Sequence, residues 1–505
     1  MIQRGEGFEK ITVKIFLALE ILLFLILSYY SFTITGENRD LSDEQIYEMP
    51  DSLVGNILWL CTVFLFIYII RHIILRYEIK WSAQFAALLS ILIALACIYW
   101  VGASSTVPQS DQFDVCDYAD AFNRGDYSGL SRGEYVGIFP HQLGLITLLR
   151  VLFYLFGAGN YRAFQYLSAL MAGALVFFGY QVVRHLSNRR KEAEICYFLI
   201  AVSCVPLYAY VPFVYGEIIS TTILLLATWM LLSCLESFSW RKTIILGVAS
   251  GLAVWMRKNS LIILIGFFIV LFIKMIAGNV KTAATLAISI LAGILLFVSV
   301  ITYAIYGDKI PDDSEPMPAI LFVAMGLNWN RVNPGWYDRS HKTIFSENDY
   351  SVEESKKAAM EQIEEFLQTA KERDGYATVF FVHKLTAQWA APMYQCLAMN
   401  NKIEGEQSRL AHSVYFGRLR IFLQKFMNVY QLLVYVSVLS MLFAKRKEWV
   451  CIEKYVLLIG IFGGFLFSLI WEAKTRYAFP YFLLMLPYAA IGLGCLDFQK
   501  MNKKE

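Results

Sequence analysis

The residues most able to do chemistry sit in four polar stretches, each flanked by apolar sequence. The longest is VGASSTVPQSDQFDVCDYADAFNRGDYSGLSRGEYVGIFPHQ (101–142), with Asp111, Asp114, Asp117, Asp120, Asp126 and Glu134 opposed only by Arg124 and Arg132. Asp111, Asp114, Asp117 and Asp120 recur every third residue, so on a helix they form one acidic stripe. Like charges on one stripe repel, and a metal ion, a basic partner or open water must offset the cost. Asp117 and Asp120 fit a solvated helix face. Asp111 and Asp114, just past the turn residue Pro108, fit a site, and His141 and Gln142 close the same stretch.

The other three stretches are shorter. Glu217 lies in YVPFVYGEIIS, Arg257 and Lys258 in WMRKNS, and Glu472, Lys474, Arg476 and Tyr477 in WEAKTRYAFP. Taken singly, each has a plain structural use: a cap for Glu217, lipid snorkelling for Arg257 and Lys258, an interface anchor for Arg476 and Tyr477. Taken together, acids and bases at one membrane boundary suit a substrate with an anionic phosphate and an apolar tail. Cations hold the phosphate, with Arg favoured for its bidentate fork. Carboxylates deprotonate a hydroxyl or hold a divalent metal.

The elements that must position these residues are membrane helices. The 505 residues are 57% hydrophobic and 15% aromatic, with mean hydropathy +0.51, values that indicate an all-α polytopic membrane protein. Spans are expected at 11–33, 53–75, 81–101, 163–186, 195–213, 216–236, 242–257, 260–277, 283–306, 425–444, 452–471 and 479–498, near the ~20 residues a bilayer requires. The first follows Arg4 and Lys10 and reads as an uncleaved anchor. Arg71, Arg76 and Lys80, Arg189-Arg190-Lys191, Arg241-Lys242, Lys274 with Lys281, Lys445-Arg446-Lys447 and Lys503-Lys504 mark the cytoplasmic side. They agree only if 141–157 does not cross, and Arg150 near its centre disfavours crossing. That segment is expected to be interfacial or re-entrant. Twelve spans result (eleven to thirteen in all), with both termini in the cytoplasm, Gly159 and Gly307 outside and Lys191 inside. The four polar stretches then all emerge on the outer face.

Three regions follow: 1–306 with its outer loop 102–142, a large outer loop at 307–420, and terminal helices at 421–505. Within the large loop, SVEESKKAAMEQIEEFLQTAKER (351–373) reads as an amphipathic helix, and 377–396 is expected at the membrane surface. Cys116 and Cys396 are the two polar-loop cysteines, and no CxxC or zinc spacing occurs. The net charge of +3, carried in short clusters between apolar runs, does not point to nucleic acid.

In its order of motifs the chain resembles the integral-membrane glycosyltransferases of the GT-C superfamily. The branch it looks most like holds the protein O-mannosyltransferases and the lipid A aminoarabinose transferase. That branch opens its first outer loop with an Asp-Glu pair, and Asp111-Gln112 keeps the Asp alone. Pro140-His141-Gln142-Leu143 stands where the branch has Pro-Pro-Leu. LFGAGNYRAFQYLSAL (155–170), Arg257-Lys258-Asn259 and Arg476-Tyr477 resemble further motifs. The likeness runs over most of 81–310 and returns at 471–490. It implies a polyprenyl-phosphate sugar donor, a lipid-linked, glycan or protein acceptor, and inversion on the extracytoplasmic face. Asp111 would be the general base, with Asp114 and Glu217 beside it. Arg257, Lys258, Arg476, Tyr477 and His141 would bind the donor phosphate, and Asp111 and Glu217 would hold a divalent ion, Mg or Mn, in those members that use one.

Two other classes stay open. A polysaccharide polymerase or O-antigen-ligase type enzyme would use Arg331, Arg339, His341 and His383 of the large loop instead. A lipid or glycan transporter would show inverted repeats and broken midplane helices, and neither is seen.

Overall fold

The computed structural model describes residues 2–77, 82–330 and 332–495, so Lys80, Arg331 and Lys503-Lys504 lie outside the described residues. Among the described residues, regular structure is helical apart from one antiparallel hairpin, Ile34–Glu37 paired with Tyr47–Pro50, and nine helices are long and apolar enough to cross a bilayer: Gly7–Thr33, Leu53–Arg76, Ala83–Ser104, Tyr161–Leu186, Glu217–Glu236, Val280–Tyr306, Arg418–Lys445, Ile452–Ile470 and Thr475–Cys495. A helix satisfies its own backbone hydrogen bonds, which is what allows it to stand in hydrocarbon. The exposed Trp59, Leu65 and Phe66 of Leu53–Arg76 present that lipid-facing surface.

The other three expected spans fold as shorter helices. Trp240–Met256 and Ser260–Ile276 have 17 residues each. Lys191–Ser203 ends at Cys204, and Val205–Ala209 resumes with Pro206 in its first turn, where a missing N–H is tolerated. Side-chain ties fix which ends lie together. Gln165 Nε2 donates to the Thr106 carbonyl (3.3 Å) and the Pro212 carbonyl (2.9 Å), and Arg257 meets Glu217. At the opposite face Lys274 meets Glu9 (2.8 Å), the Ile452 N–H donates to Glu9 (2.9 Å), and Arg71 donates to the Leu493 carbonyl (3.2 Å). The twelve segments therefore alternate in direction, and Gly7 and Cys495 end on the same face, away from Asp111.

The segment 141–157 does not traverse. Ser128–Ile138 and Pro140–Phe156 meet at a 96° bend. The Gln165 tie returns the chain to the Thr106 end, so Leu143–Phe156 starts and finishes on one face. Arg150 is accommodated without facing lipid alone: it donates to the Tyr306 hydroxyl (3.2 Å), the Tyr127 hydroxyl (3.3 Å) and Asn123 Oδ1 (3.2 Å).

The 307–420 region packs as short helices over the Asp111 face. Val352–Glu372 is the amphipathic helix expected, capped by Ser351, whose hydroxyl accepts from the Glu354 N–H (3.4 Å). It buries Ala359 and Phe366 and carries Glu353–Lys356 and Glu354–Lys357 pairs outside. Tyr376–Trp389, expected at the membrane surface, buries one face against protein and leaves Thr378 and Val379 exposed. Phe380, Lys384, Ala387 and Trp389 are buried, because the helix is flanked by the Tyr47–Pro50 strand and by Thr475–Cys495. Cys116 and Cys396 are both buried free thiols.

Candidate active site

The four polar stretches converge on one cavity of about 1390 Å³. Asp111 opens the helix Asp111–Asn123, three residues past the turn at Pro108 and after Ser110 at φ 49°. Its side chain is 40% exposed, toward the cavity, and its Oδ2 accepts a hydrogen bond from Arg476 Nη2 at 3.3 Å. Arg476 itself is buried in the first turn of Thr475–Cys495. Enclosure alone would push the Asp111 carboxyl up. Arg476, Lys474 and Lys342 outweigh it and hold the group below the usual carboxylate range. Asp111 is thus an ionised acceptor at neutral pH. Asp114, one turn on, also lines the cavity, and its carboxyl is raised by burial and by the Asp111 charge. Asp117 is exposed, and Asp120 pairs with Arg124, so the stripe divides as its sequence position suggests.

Gln112, where the resembled branch has Glu, is 2% exposed. Its Oε1 accepts from the Val214 N–H (2.8 Å) and its Nε2 donates to the Met399 carbonyl (2.9 Å). Both amide ends are committed to tying three outer segments together.

Arg257 and Lys258 form another wall. Arg257 Nη2 lies 2.9 Å from Glu217 Oε1. Glu217, 1% exposed, sits behind that wall and does not line the cavity. The approach depends on Gly216, because a Cβ there would meet the Met256 carbonyl at 2.5 Å. The Tyr215 ring lies between two guanidinium groups, 4.9 Å from Arg257 and 5.3 Å from Arg476, a cation–π arrangement that spaces like charges apart. Its hydroxyl accepts from Gln142. Lys258 lines the cavity with no ion pair among the described residues. His141 faces the same space. Enclosure, with Lys258 and Arg257 nearby, pushes its ring down to about 4, so it is neutral.

Glu472, Lys474 and Tyr477 complete this side. The Tyr477 hydroxyl donates to Glu472 (3.3 Å), whose carboxyl is raised by burial. Lys474 pairs with Glu44 of the first outer loop (2.9 Å). The large loop supplies the remaining wall: Tyr337, Arg339, His341 and Lys342. His341 is 2% exposed, and burial followed by Lys342 pushes it down to about 4. Lys342 Nζ lies 5.1 Å above the Phe139 ring. His383 is elsewhere, paired with Glu48 at 2.8 Å.

Every candidate from the four stretches except Glu217 therefore meets at the cavity, together with Arg339 and His341. Tyr215, Lys342 and Glu44 are additions. Tyr215 was within reach of sequence, as an aromatic two residues before a turn acid, whereas nothing local to Lys342 or Glu44 signals the cavity. Among the described residues, no three acidic, His or Cys ligand atoms cluster at the cavity. The one such group, Glu9, Cys451 and Glu453, is at the opposite face, where Lys274 already sits 2.6 Å from Glu453.

Solved structures with a distant likeness to this chain include the following. An oligosaccharyltransferase from Archaeoglobus fulgidus, in complex with zinc and sulfate, is 14% identical with a TM-score of 0.45, covering 83% of this chain and 49% of that one. ArnT from Cupriavidus metallidurans, bound to undecaprenyl phosphate, is 11% identical with a TM-score of 0.36, covering 82% and 78%. The chain spans about half the length of the oligosaccharyltransferase. No curated protein sequence matches it. A family model described as conserved hypothetical integral membrane protein matches residues 10–493, and the chain belongs to that family.

Proposed function

We propose that this protein is a GT-C type glycosyltransferase that moves a sugar from a polyprenyl-phosphate donor to an acceptor hydroxyl at the extracytoplasmic membrane boundary. The observation that carries this reading is the Asp111 carboxylate, held ionised beside Arg476 in a cavity that also presents Arg257 and Lys258. The cavity has an apolar side as well, with Leu261, Ile262 and Ile265 of Ser260–Ile276 and Phe467 of Ile452–Ile470. Leu261 and Ile265 are also exposed at the surface, which suits a donor whose phosphate is in the cavity and whose tail is in lipid.

In this scheme the acceptor hydroxyl oxygen attacks the anomeric carbon as Asp111 takes its proton. The bond from that carbon to the phosphate oxygen breaks, and attack from the face opposite the leaving group inverts the centre. Arg476, Arg257 and Lys258 stabilise the phosphate charge as it develops. Tyr215 and Tyr477 keep the two guanidinium groups in place, and neutral His141 is a hydrogen-bonding group for the phosphate or sugar. Glu217 acts from behind as the counter-charge of Arg257. The acceptor is a lipid-linked, glycan or protein hydroxyl.

A divalent ion such as Mg or Mn would be held by Asp111 with Asp114, which share the cavity, the Asp111 charge raising the Asp114 carboxyl. Glu217 is committed to Arg257 and does not fit. When bound, such an ion would polarise phosphate oxygens. The acid–base and charge roles above belong to the chain's own residues.

Arg339 and His341 line the same cavity, and that observation favours one second reading, a polysaccharide polymerase or O-antigen-ligase type enzyme working through the large loop. Incubation of purified protein with labelled polyprenyl-phosphate sugars separates the two. Loss of transfer in Asp111→Asn supports the first reading. An active Asp111→Asn with dead Arg339→Ala or His341→Ala supports the second.

A further inference from the structure

Lys384 is a lysine of the large outer loop that is 0% exposed. Its ammonium makes no ion pair among the described residues. It donates to three backbone carbonyls: that of Gly326, at the end of Ile320–Gly326, and those of Leu469 (2.9 Å) and Trp471 (2.8 Å). The last two lie in the final turn and C-cap of the helix ending at Ile470. Terminal carbonyls of a helix have no partner within it, and a cation there also meets the negative end of the helix dipole. One amine thus closes two helix ends from different parts of the chain.

A third segment joins at the same point. Gly335 has φ +68°, and a Cβ there would lie 2.8 Å from the Lys384 amine. The Gly335 carbonyl accepts from the Ala473 N–H (2.7 Å), and Trp336 bridges to Ala473. Residues 469–473, Glu472 among them, are therefore gripped by the large loop on two sides, and Lys474, Arg476 and Tyr477 follow directly.

We propose that Lys384 is a positioning residue through which the 307–420 loop sets the geometry of the turn that presents Glu472, Lys474 and Arg476 to the cavity. The consequence for donor binding rests on the function proposed above. The grip on the turn does not. An ammonium has three N–H donors and a neutral amine two, so deprotonation releases one of the three carbonyls. Burial pushes this amine down to about 7, with Glu472 acting the other way. Glu472 from the turn is the charged group acting on it, the Phe380 ring of its own helix lies 5.9 Å away, and its hydrogen-bond acceptors are the three backbone carbonyls.

The test uses full-length protein in nanodiscs as wild type, Lys384→Gln and Lys384→Met. Gln keeps two N–H donors and never charges, and Met keeps none. Hydrogen exchange over 469–476, corrected for intrinsic rate, is read at pH 6 and pH 8.5, with thermal midpoint and affinity for undecaprenyl phosphate on the same samples. We expect exchange in that segment to rise about tenfold in Lys384→Met, the scale of losing a charged hydrogen bond, and by less in Lys384→Gln. Only wild type should change between the two pH values. Affinity should fall in the same order. Unchanged exchange at 469–476, or an increase spread evenly over the chain, overturns the proposal. If Lys384→Met does not fold, Lys384→Gln decides: protection equal to wild type at both pH values overturns it. Ordered exchange without any wild-type binding of undecaprenyl phosphate leaves Lys384 as the anchor of the turn and removes the functional reading instead.

Discussion

Arg476 and Asp111 are 365 residues apart in the chain and meet at 3.3 Å in the cavity wall. One lies in the first turn of the last described helix and the other starts the helix of the second outer loop. A buried guanidinium beside a cavity-facing carboxylate keeps that carboxylate ionised and itself needs an anion when the carboxylate moves. The pairing gives each residue a separate, measurable role.

Arg476→Ala should weaken binding of undecaprenyl phosphate much more than it lowers the affinity for any acceptor. Truncating one charged partner at a buried site costs on the order of 2–5 kcal/mol. Titration of the variant in nanodiscs checks this, and an unchanged affinity for the lipid phosphate would remove Arg476 from the phosphate site.

Glu217→Gln should lower stability as well as donor affinity. It leaves Arg257 without its counter-charge, and breaking a buried pair costs about 3–5 kcal/mol. With Arg257 15% exposed, the lower end of that range applies. Thermal unfolding of the variant reads the effect. A variant that is as stable as wild type yet inactive would make Glu217 a reacting group instead.

The two cavity histidines predict a pH dependence. His341 titrates at about 4 in the folded chain and near 6.5 when unfolded, so between those values the unfolded chain binds a proton that the native one does not. Stability should therefore fall as pH drops from about 6.5 toward about 4. His141, also at about 4, adds a contribution of the same sign. His341→Phe keeps a ring among Phe139, Phe322 and Tyr337 and should make unfolding midpoints flatter across that window. An unchanged slope would contradict the burial of a neutral ring there.

Single-cysteine labelling tests the topology. Ala158 and Asp308 are exposed on the Asp111 face and should react with an impermeant reagent from outside intact cells, whereas Lys191, at the other end, should react only after permeabilisation. Outside labelling at 191 would overturn the alternation of twelve segments.

Much of this arrangement was legible in sequence because its signals are local. Apolar length marks spans, Arg150 marks a segment that does not cross, and acids at span ends mark the cavity rim. The division of the acidic stripe also follows from position, since Asp111 opens the helix nearest the end of the Ala83–Ser104 span and Asp117 lies further along it. What sequence left out depends on contacts between distant segments. Glu217 reads as a rim acid, and only the approach of Gly216 to Met256 turns its carboxylate inward to Arg257. Lys342 and Lys384 belong to an ordinary polar region in sequence, and their places at the cavity wall and at the 469–473 turn arise from where that region docks. Tyr376–Trp389 has the composition of a surface helix, and the Tyr47–Pro50 strand and the last helix cover the face that carries Lys384 and Trp389.

The most direct measurement of the central claim is release of polyprenyl phosphate from a panel of labelled polyprenyl-phosphate sugars by purified wild type and Asp111→Asn, with undecaprenyl phosphate binding as the control for folding. A general base contributes about 10² to 10⁴ in rate. The account predicts release by wild type with at least one sugar, and a loss of that size in Asp111→Asn with donor-lipid binding retained. Release by Asp111→Asn at the wild-type rate would contradict it.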